Sequence, residues 1–328
     1  MRTTLTLNDY LDGFKNKNRT ILARAITLVE SQNPEHHKLA QQLLQKLLPQ
    51  TGKSRRIGIS GTPGVGKSTF IEAFGKMLTD QKKTVAVLAV DPTSQVSGGS
   101  ILGDKTRMNE LAIDPQAFIR PSPSGETLGG VARRTRESLL LCEAFGFDYV
   151  LVETVGVGQS ETTVAQMVDV FMMLLQPGAG DDLQGIKRGI LELVDMVVVT
   201  KDDGDHKAII QKAKHDYEKA LQILRHEGRI PPVLSCSSIT KAGLPEVKKT
   251  LDDFFSSESE NIKKKRNEQG LDWMWQLVRE GLYDLFQGSL SPEMITNSER
   301  SVLDQKQTAP QAALYLLEQF QKHSKKQP

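Results

Sequence analysis

The sequence contains little cysteine, little net charge and no long apolar run. Its two cysteines, Cys142 and Cys236, cannot form a disulfide framework and are typical of a protein from a reducing compartment. The formal net charge of +2 is too small to indicate a nucleic-acid or membrane partner by itself. No apolar segment approaches the roughly 20 residues that a helix needs to span a bilayer. We therefore expect no membrane and no nucleic-acid partner.

The amino-terminal segment has none of the features of a targeting signal. Residues 1–20 contain Asp9 and Asp12 and no apolar core of a secretory signal, and acidic residues are uncommon in transit peptides. The composition, with 38% hydrophobic and 25% charged residues, is that of a globular protein. The sequence thus favours a cytoplasmic location.

Three regions can be separated along the chain. A helical extension is predicted over 1–54, an α/β domain over 55–256 and a helical arm over 257–328. In the middle region, runs rich in Val, Ile and Leu alternate with helical stretches, which is typical of parallel strands covered on both faces. The predicted strands are 56–60, 84–90, 148–153, 170–175, 195–200 and 232–236. This alternation predicts a doubly wound, mostly parallel sheet.

The carboxyl-terminal arm allows two interpretations. Its first helix carries the large apolar side chains Trp273 and Trp275 close to a charged segment. The arm could form surface helices that pack on the core, or it could form an oligomerisation arm. A single sequence does not distinguish an apolar face within one chain from a face between chains.

The strongest motif is a glycine-rich loop of the form GxxxxGK[ST]. It follows an apolar strand and opens a helix, which is the context that a phosphate-binding loop requires. Backbone N–H groups would converge on the β-phosphate, Lys67 would reach the β- and γ-phosphates, and the Ser68 hydroxyl would ligate Mg²⁺. The predicted loop, with the residue after it, is Gly61, Thr62, Pro63, Gly64, Val65, Gly66, Lys67, Ser68 and Thr69.

Carboxylates at strand ends supply the predicted metal site. Glu153 ends an apolar strand, and Gly156 follows at a distance suited to sensing the γ-phosphate. Asp91 ends another strand and Asp104 lies in a glycine-rich segment. Position alone predicts metal roles for both aspartates, although a helix cap or turn role is the alternative. The metal site is therefore predicted from Ser68, Asp91, Asp104 and Glu153.

A third motif indicates which base is bound. Thr200, Lys201 and Asp203 follow an apolar strand where GTPases carry Asn-Lys-x-Asp, whose aspartate accepts two hydrogen bonds from guanine. Threonine in place of asparagine is expected to weaken one base or P-loop contact, while Asp203 preserves the preference for guanine. Ser237 and Ser238 could add a backbone contact to guanine O6. The bound nucleotide is thus predicted to be GTP or GDP.

These motifs resemble those of the MeaB/ArgK GTPases, the G-protein chaperones of adenosylcobalamin-dependent methylmalonyl-CoA mutase. The similar stretches include GISGTPGVGKST, GGSILGDKTRM, LVETVGVGQSE and QPGAGDDLQGIKRGI, and the similarity runs through nearly the whole chain. The resemblance implies a homodimer formed by the carboxyl-terminal arm. It also implies slow GTP hydrolysis that is faster with the mutase, gating of adenosylcobalamin delivery, and protection of the mutase.

The resemblance also assigns residues. Lys67 and Ser68 hold phosphate and Mg²⁺, and Glu153 lies at the metal. The loop over 176–187 resembles a further switch, with Asp181 and Lys187 as its actors, although the loop alone could be an ordinary β-to-α connection. The predicted catalytic residues are Lys67, Glu153, Asp181 and Lys187. The candidates to neutralise charge in the transition state are Arg107, Arg133 and Lys187.

Two other functions share the same phosphate-binding loop. A P-loop kinase linked to arginine and ornithine transport is the main alternative, but no residue set indicates a phosphoacceptor site. A metal-insertion GTPase would need clusters of Cys and His at ligand spacing. The only close pair, His36 and His37, lies far from the P-loop in sequence.

Overall fold

The computed structural model describes residues 5–90, 108–121, 128–154, 160–177, 188–204, 207–224 and 229–324. The chain divides into two compact units, Met1–Arg266 and Asn267–Pro328. The predicted helical extension and the α/β domain therefore lie in the same unit. In the part of the chain that the structure describes, no helix is long and apolar enough to cross a membrane.

The first unit is built on a seven-stranded sheet in the order β3-β2-β4-β1-β5-β6-β7. Every strand pair in the described residues is parallel. The strands are β1 (Arg55–Gly61), β2 (Val85–Val90), β3 (Ala117–Arg120), β4 (Tyr149–Thr154), β5 (Val170–Leu175), β6 (Met196–Val199) and β7 (Val233–Ser235). The prediction of a doubly wound α/β fold is confirmed.

The edge strand β3 was not predicted from the sequence. It has only four residues, ends in Arg120 and is half-buried over three of them, so it lacks the apolar run by which the other strands were found. Its register is set by β2, with Val85 opposite Ala117 and Leu88 opposite Arg120. A short, charged edge strand is a common way to protect a sheet from pairing with another chain.

Helices cover both faces of the sheet. Those that begin in the first unit are α1 (Leu7–Lys15), α2 (Arg19–Val29), α3 (Pro34–Leu47), α4 (Lys67–Asp80), α5 (Asn109–Ile113), α6 (Leu128–Phe145), α7 (Ser160–Ala165), α8 (Arg188–Leu191), α9 (Lys207–Leu224), α10 (Leu244–Ser257) and α11 (Ser259–Ser289). A short 3₁₀ turn, Leu48–Gln50, follows α3. Two apolar clusters of buried side chains fill the spaces on the two sides of the sheet.

The amino-terminal helices contribute to the same core as the sheet. Thr6 caps α1 in a reciprocal bond with Asp9, and Asn33 caps α3 with Pro34 at its first position. Phe14 of α1 meets Phe145 of α6 edge to face, with 5.7 Å between ring centroids. Burial of these apolar faces, rather than helix propensity, stabilises such short helices.

A buried network of ion pairs lies at the amino ends of the strands. Arg266 of α11 donates two hydrogen bonds to Asp169, at 2.7 and 2.6 Å, and the Asp169 side chain is fully buried. Asp169 also accepts the backbone N–H of Arg56 at 2.8 Å. Arg56 in turn forks onto Glu143, at 2.8 and 2.7 Å. The network thus joins β1, α6, the residue before β5 and the first turns of α11, at the end of the sheet opposite the P-loop.

Removing one partner from this network is expected to destabilise the protein strongly. The variant Arg266→Met leaves the carboxylate of Asp169 buried without its charged partner, which costs about 3–5 kcal/mol. The measurement is urea unfolding followed by far-ultraviolet circular dichroism. Lys306→Met is the matched control, because Lys306 pairs with Asp304 at 2.9 Å with both side chains more than half exposed. Such a pair contributes at most about 1 kcal/mol, so equal losses in the two variants would contradict the prediction.

The second unit consists of three helices. They are the rest of α11, α12 (Pro292–Leu303) and α13 (Ala309–Ser324). Ser291 caps α12, with Pro292 at the first helical position. Phe286 of α11 contacts Phe320 of α13, with 5.6 Å between ring centroids.

Large apolar side chains remain exposed along α11. Five of them are spaced alternately four and three residues apart, which places them in one stripe along the helix. Their exposed fractions lie between 41% and 62%. They are Leu271, Trp275, Val278, Leu282 and Leu285. We call this set the α11 stripe.

Candidate nucleotide-binding site

The predicted phosphate loop lies at the carboxyl end of the central strand. β1 pairs with β4 on one side and β5 on the other and ends at Gly61, and α4 begins at Lys67. Gly64 and Gly66 have φ angles of 81° and 97°, in the left-handed region that favours glycine. The chain leaves β1 toward β2 on one side and later returns to β5 on the other. Ligands bind in the crevice formed at such a switch point.

Lys67 is held inside the loop that it is predicted to serve. Its Nζ donates to the carbonyl oxygen of Gly61 at 2.7 Å and to that of Thr62 at 3.3 Å. Burial lowers the pKa of Lys67, and the nearby carboxylates of Glu153 and Glu161 partly oppose that shift. The ammonium group of Lys67 therefore lies where phosphate oxygens could replace the Gly61 and Thr62 carbonyl oxygens as its hydrogen-bond acceptors. Val65 is buried, whereas Pro63 and Thr69 are exposed.

Ser68 and Glu153 lie together, as predicted for a metal site. The Ser68 hydroxyl donates to Oε1 of Glu153 at 3.2 Å, and Glu153 is only 7% exposed at the end of β4. A hydroxyl and a carboxylate are hard oxygen ligands of the kind that Mg²⁺ prefers. A buried carboxylate beside the phosphate loop also needs a positive charge. These residues fit a magnesium ion that would neutralise phosphate charge when bound.

Thr200 connects the segment predicted to bind the base to the P-loop. It is 2% exposed, and its hydroxyl lies 2.8 Å from the carbonyl oxygen of Val65 and 3.2 Å from that of Leu175. From the sequence, threonine in place of asparagine was expected to weaken a contact to the base or to the P-loop. In the structure, the Thr200 hydroxyl makes a P-loop contact, to Val65. Lys201 has a φ of 60°, and its Nζ donates to the carbonyl of Gly64 at 2.9 Å and to the side chain of Gln176 at 3.0 Å.

The residues predicted to bind the base lie around the ends of β6 and β7. Asp203 is partly exposed. Burial raises the pKa of the Cys236 thiol to about 12, and the charges of Asp202 and Asp203 add to the shift, which places Asp203 beside the end of β7. The backbone N–H of Ser237 donates to Ala242 at 2.9 Å, and its hydroxyl accepts from the amides of Ile239 and Thr240. Ser237 thus shapes the loop that follows β7.

Several predicted residues lie outside the described part of the chain. They are Asp91, Asp104, Arg107, Gly156, Asp181 and Lys187. Arg133 is described, and its Nε lies 3.4 Å from Oε1 of Glu137 on the next turn of α6. The structure thus brings together Lys67, Ser68 and Glu153 at one end of the crevice.

Glu161 was missed by the sequence analysis. It is 5% exposed in the first turn of α7 and lies close enough to Lys67 to affect its pKa. Its place eight residues after Glu153, within a glycine-rich segment, was the available signal. A glutamate in the first turn of a helix usually faces solvent, and for that reason Glu161 was not selected from the sequence.

The Thr200 hydroxyl is expected to support nucleotide binding. Thr200→Val keeps the shape of the side chain and removes the donor to Val65, which should cost about 1–3 kcal/mol of stability. A loosened P-loop should also bind GDP several-fold more weakly. Thermal unfolding and titration with a fluorescent GDP analogue measure the two effects. Thr250→Val is the control, because the Thr250 hydroxyl donates within its own helix, α10, to the carbonyl oxygen of Glu246 at 2.9 Å. The role of Thr200 would be refuted if Thr250→Val bound the GDP analogue more weakly while Thr200→Val bound it as the parent does.

The position of these groups along one crevice defines the class, a P-loop nucleotide-binding protein. Residues 22–290 match the family described as "Methylmalonyl Co-A mutase-associated GTPase MeaB". The chain belongs to that family, which confirms both the resemblance found in its motifs and the prediction of a GTPase.

Similar proteins cover most of the chain. "GTPase ArgK" of Escherichia coli (strain K12) is 50% identical over 273 residues, which is 82% of each chain. "Methylmalonic aciduria type A homolog, mitochondrial" of Mus musculus is 45% identical over 345 residues, covering 96% of this chain and 83% of the relative. Among solved structures, a crystal structure of an "LAO/AO transport system kinase" has a TM-score of 0.77 and 39% identity, covering 98% of this chain and 99% of the other.

Proposed function

We propose that this chain is a magnesium-dependent GTPase that acts as a G-protein chaperone of an adenosylcobalamin-dependent acyl-CoA mutase. Methylmalonyl-CoA mutase is the partner that the family description favours, and the chaperone would gate loading of adenosylcobalamin and protect the mutase. The observation that carries the proposal is the family match over residues 22–290. The paired Ser68 and Glu153 beside Lys67 support the chemistry.

The residues of the crevice would have different roles in GTP hydrolysis. Lys67 would leave the Gly61 carbonyl and bind the β- and γ-phosphate oxygens, while the N–H groups of the P-loop hold the β-phosphate. Ser68 and Glu153 would hold Mg²⁺, with Asp91 and Asp104 as further proposed ligands. Asp203 would accept the N1–H and N2–H of guanine, with Lys201 stacked on the base. A water then attacks the γ-phosphate, and catalysis consists mainly of positioning and charge stabilisation.

Turnover would depend on the partner. We propose Gly156, Asp181 and Lys187 as the residues that respond to the γ-phosphate and to the mutase. A GTPase that has only its P-loop lysine and Mg²⁺ at the γ-phosphate is slow, and a further cation supplied by a reordered loop raises the rate by about 10³–10⁵ in known systems. Hydrolysis would release these loops and so change the state of the partner.

The test is GTP hydrolysis by the purified protein with and without a methylmalonyl-CoA mutase from the same organism. We expect a slow rate that rises with the mutase and that is lost with ATP. A rate of GTP hydrolysis that the mutase does not change would contradict the assignment of the mutase as partner but would leave the assignment as a GTPase intact. Phosphate transferred to arginine or ornithine, instead of released into solution, would support the kinase alternative.

We also propose that the α11 stripe pairs with a second copy of this chain. Its four-and-three spacing gives one apolar seam along the helix, which is the pattern by which helices pair with one another. Exposed apolar stripes of this length on a globular protein mark interaction surfaces. The homodimer implied by the family resemblance would cover it.

The oligomeric state checks this pairing. Light scattering after size exclusion is expected to give about twice the chain mass of 36.3 kDa for the parent protein. Leu282→Arg places a charge in the seam and should yield a monomer. Ile239→Arg is the control, because Ile239 is 75% exposed outside the stripe, and it should leave the dimer intact. A parent protein that is monomeric at all concentrations would overturn the proposal.

A further inference from the structure

Glu161 has a buried carboxylate oxygen for which the described residues provide no hydrogen-bond donor. The residue is 5% exposed, and its Oε2 accepts no hydrogen bond from the described part of the chain. A buried, unsatisfied acceptor costs about 1–3 kcal/mol, and more when the group is charged. Buried carboxylates elsewhere in the same unit have partners: Glu143 is held by Arg56, and Glu137 by Gln41 and Arg133. Within the described part of the chain, Glu161 Oε2 is therefore an acceptor whose hydrogen bonding is incomplete.

The packing of α7 places Glu161 at the level of the nucleotide crevice. One turn after Glu161, Val164 packs against Gly58 in the middle of β1, where a Cβ would lie 2.8 Å from the valine. Farther along, Asp169 reaches the backbone N–H of Arg56 near the start of β1. The segment from Glu161 to Asp169 therefore runs antiparallel to β1, from the carboxyl end of that strand toward its amino end. A helix rises about 1.5 Å per residue and a strand about 3.3 Å, so Glu161 lies one to two strand residues beyond Gly58, close to the end of β1.

The charges at the crevice identify the missing partner. Glu161 and Glu153 both act on Lys67 from close range, yet Lys67 donates to Gly61 and Thr62 instead of to Glu161. If Lys67 turned to the phosphates, as in the proposed function, Glu161 would lose part of that attraction and two buried carboxylates would lie near the phosphate groups of the nucleotide. A second anion is tolerated there only if a cation and its bound donors arrive with the nucleotide.

We propose that Glu161 is a positioning residue of the nucleotide site, which accepts a hydrogen bond from a water molecule bound to the magnesium ion. Glu161 would act through the water and the ion, without touching GTP. The inference rests on the magnesium dependence in the proposed function and adds a residue to it. Groups that hold the ligands of a metal in this way typically change metal affinity by 10–100-fold when they are replaced.

The experiment measures how Mg²⁺ slows the release of a fluorescent GDP analogue, without any hydrolysis. Glu161→Gln keeps the shape and removes the charge. In this variant, the Mg²⁺ concentration at which the slowing of GDP-analogue release is half-maximal should be about 10–100-fold higher than in the parent. Glu137→Gln is the matched control, because Glu137 is 3% exposed and its carboxylate has protein partners away from the P-loop. The control should keep the Mg²⁺ dependence of the parent.

A second readout separates positioning from a structural role. Without nucleotide and with a chelator present, Glu161→Gln should unfold at a temperature no lower than the parent, because it removes a buried charge whose Oε2 has no donor among the described residues. If Glu161→Gln does not fold, Glu161→Asp, which keeps the charge on a shorter side chain, should still show a raised Mg²⁺ requirement. A normal Mg²⁺ requirement in the Glu161 variant, or an equal rise in the Glu137 control, would overturn the proposal. Release from the parent that ignores Mg²⁺ would overturn the magnesium dependence of the proposed function as well.

Discussion

Asp203→Asn is expected to transfer the preference of the protein from GTP to xanthosine triphosphate. The carboxylate of Asp203 can accept two hydrogen bonds from the N1–H and N2–H groups of guanine, and the amide of asparagine cannot accept both. Xanthine carries an oxygen where guanine has its amino group, and the asparagine NH₂ can donate to that oxygen. Hydrogen bonds to charged groups contribute about 1.5–3 kcal/mol each, so affinity for GTP should fall by about 10²-fold or more.

Competition between the two nucleotides measures the change. Asp202→Asn is the matched control, since Asp202 is the neighbouring partly exposed aspartate and its backbone N–H donates to Cys236 at 3.1 Å. The control should keep its preference for GTP. If Asp203→Asn binds both nucleotides as the parent does, Asp203 does not contact the base. If Asp202→Asn shows the switch, the base-binding role belongs to Asp202.

Lys67→Met is expected to lower GTP hydrolysis by about 10²–10³-fold, the usual effect of removing one preorganised group that stabilises transition-state charge. The free protein should lose no stability, because burial already lowers the pKa of Lys67 and so opposes its charge. Single-turnover hydrolysis and thermal unfolding give the two quantities. Active sites commonly show this combination of lost activity and retained stability.

Lys38→Met is the control for Lys67. The Lys38 side chain is 72% exposed on α3 and, among the described residues, pairs with Glu35 on the same helix. Its removal should leave hydrolysis unchanged. Near-normal hydrolysis by Lys67→Met would show that Lys67 has no part in stabilising phosphate charge, even though the loop that holds it is formed.

The sequence predicted the parts of the fold that follow from local chemistry. Uninterrupted apolar runs predicted six of the seven strands, because a strand covered on both faces has no polar alternation. The P-loop could be placed because its glycines, lysine and serine must lie at fixed spacing before a helix. The edge strand β3 was missed, since half-buried positions and a terminal Arg120 carry no such pattern.

Pairings between distant residues were not predictable in the same way. The bonds of Thr200 to Val65 and of Arg266 to Asp169 join residues 135 and 97 positions apart. Neither hydroxyl nor guanidinium reveals its partner from sequence alone. Glu161 shows the same limit, because its burial follows from the packing of α7 against β1, and the described residues leave its Oε2 without a donor.

The central position of β1 has a consequence for synthesis of the protein. The strand that carries the P-loop ends at residue 61, yet its two neighbours in the sheet are β4 and β5, which end at 154 and 175. A growing chain extends at about 5–20 residues per second. The ribosome must therefore continue for several seconds to tens of seconds before β1 can be enclosed on both edges. Until then the strand that supports the phosphate loop is not held in a sheet, so the emerging chain cannot bind nucleotide. The unpaired edges of β1 are accessible to chaperones during this time.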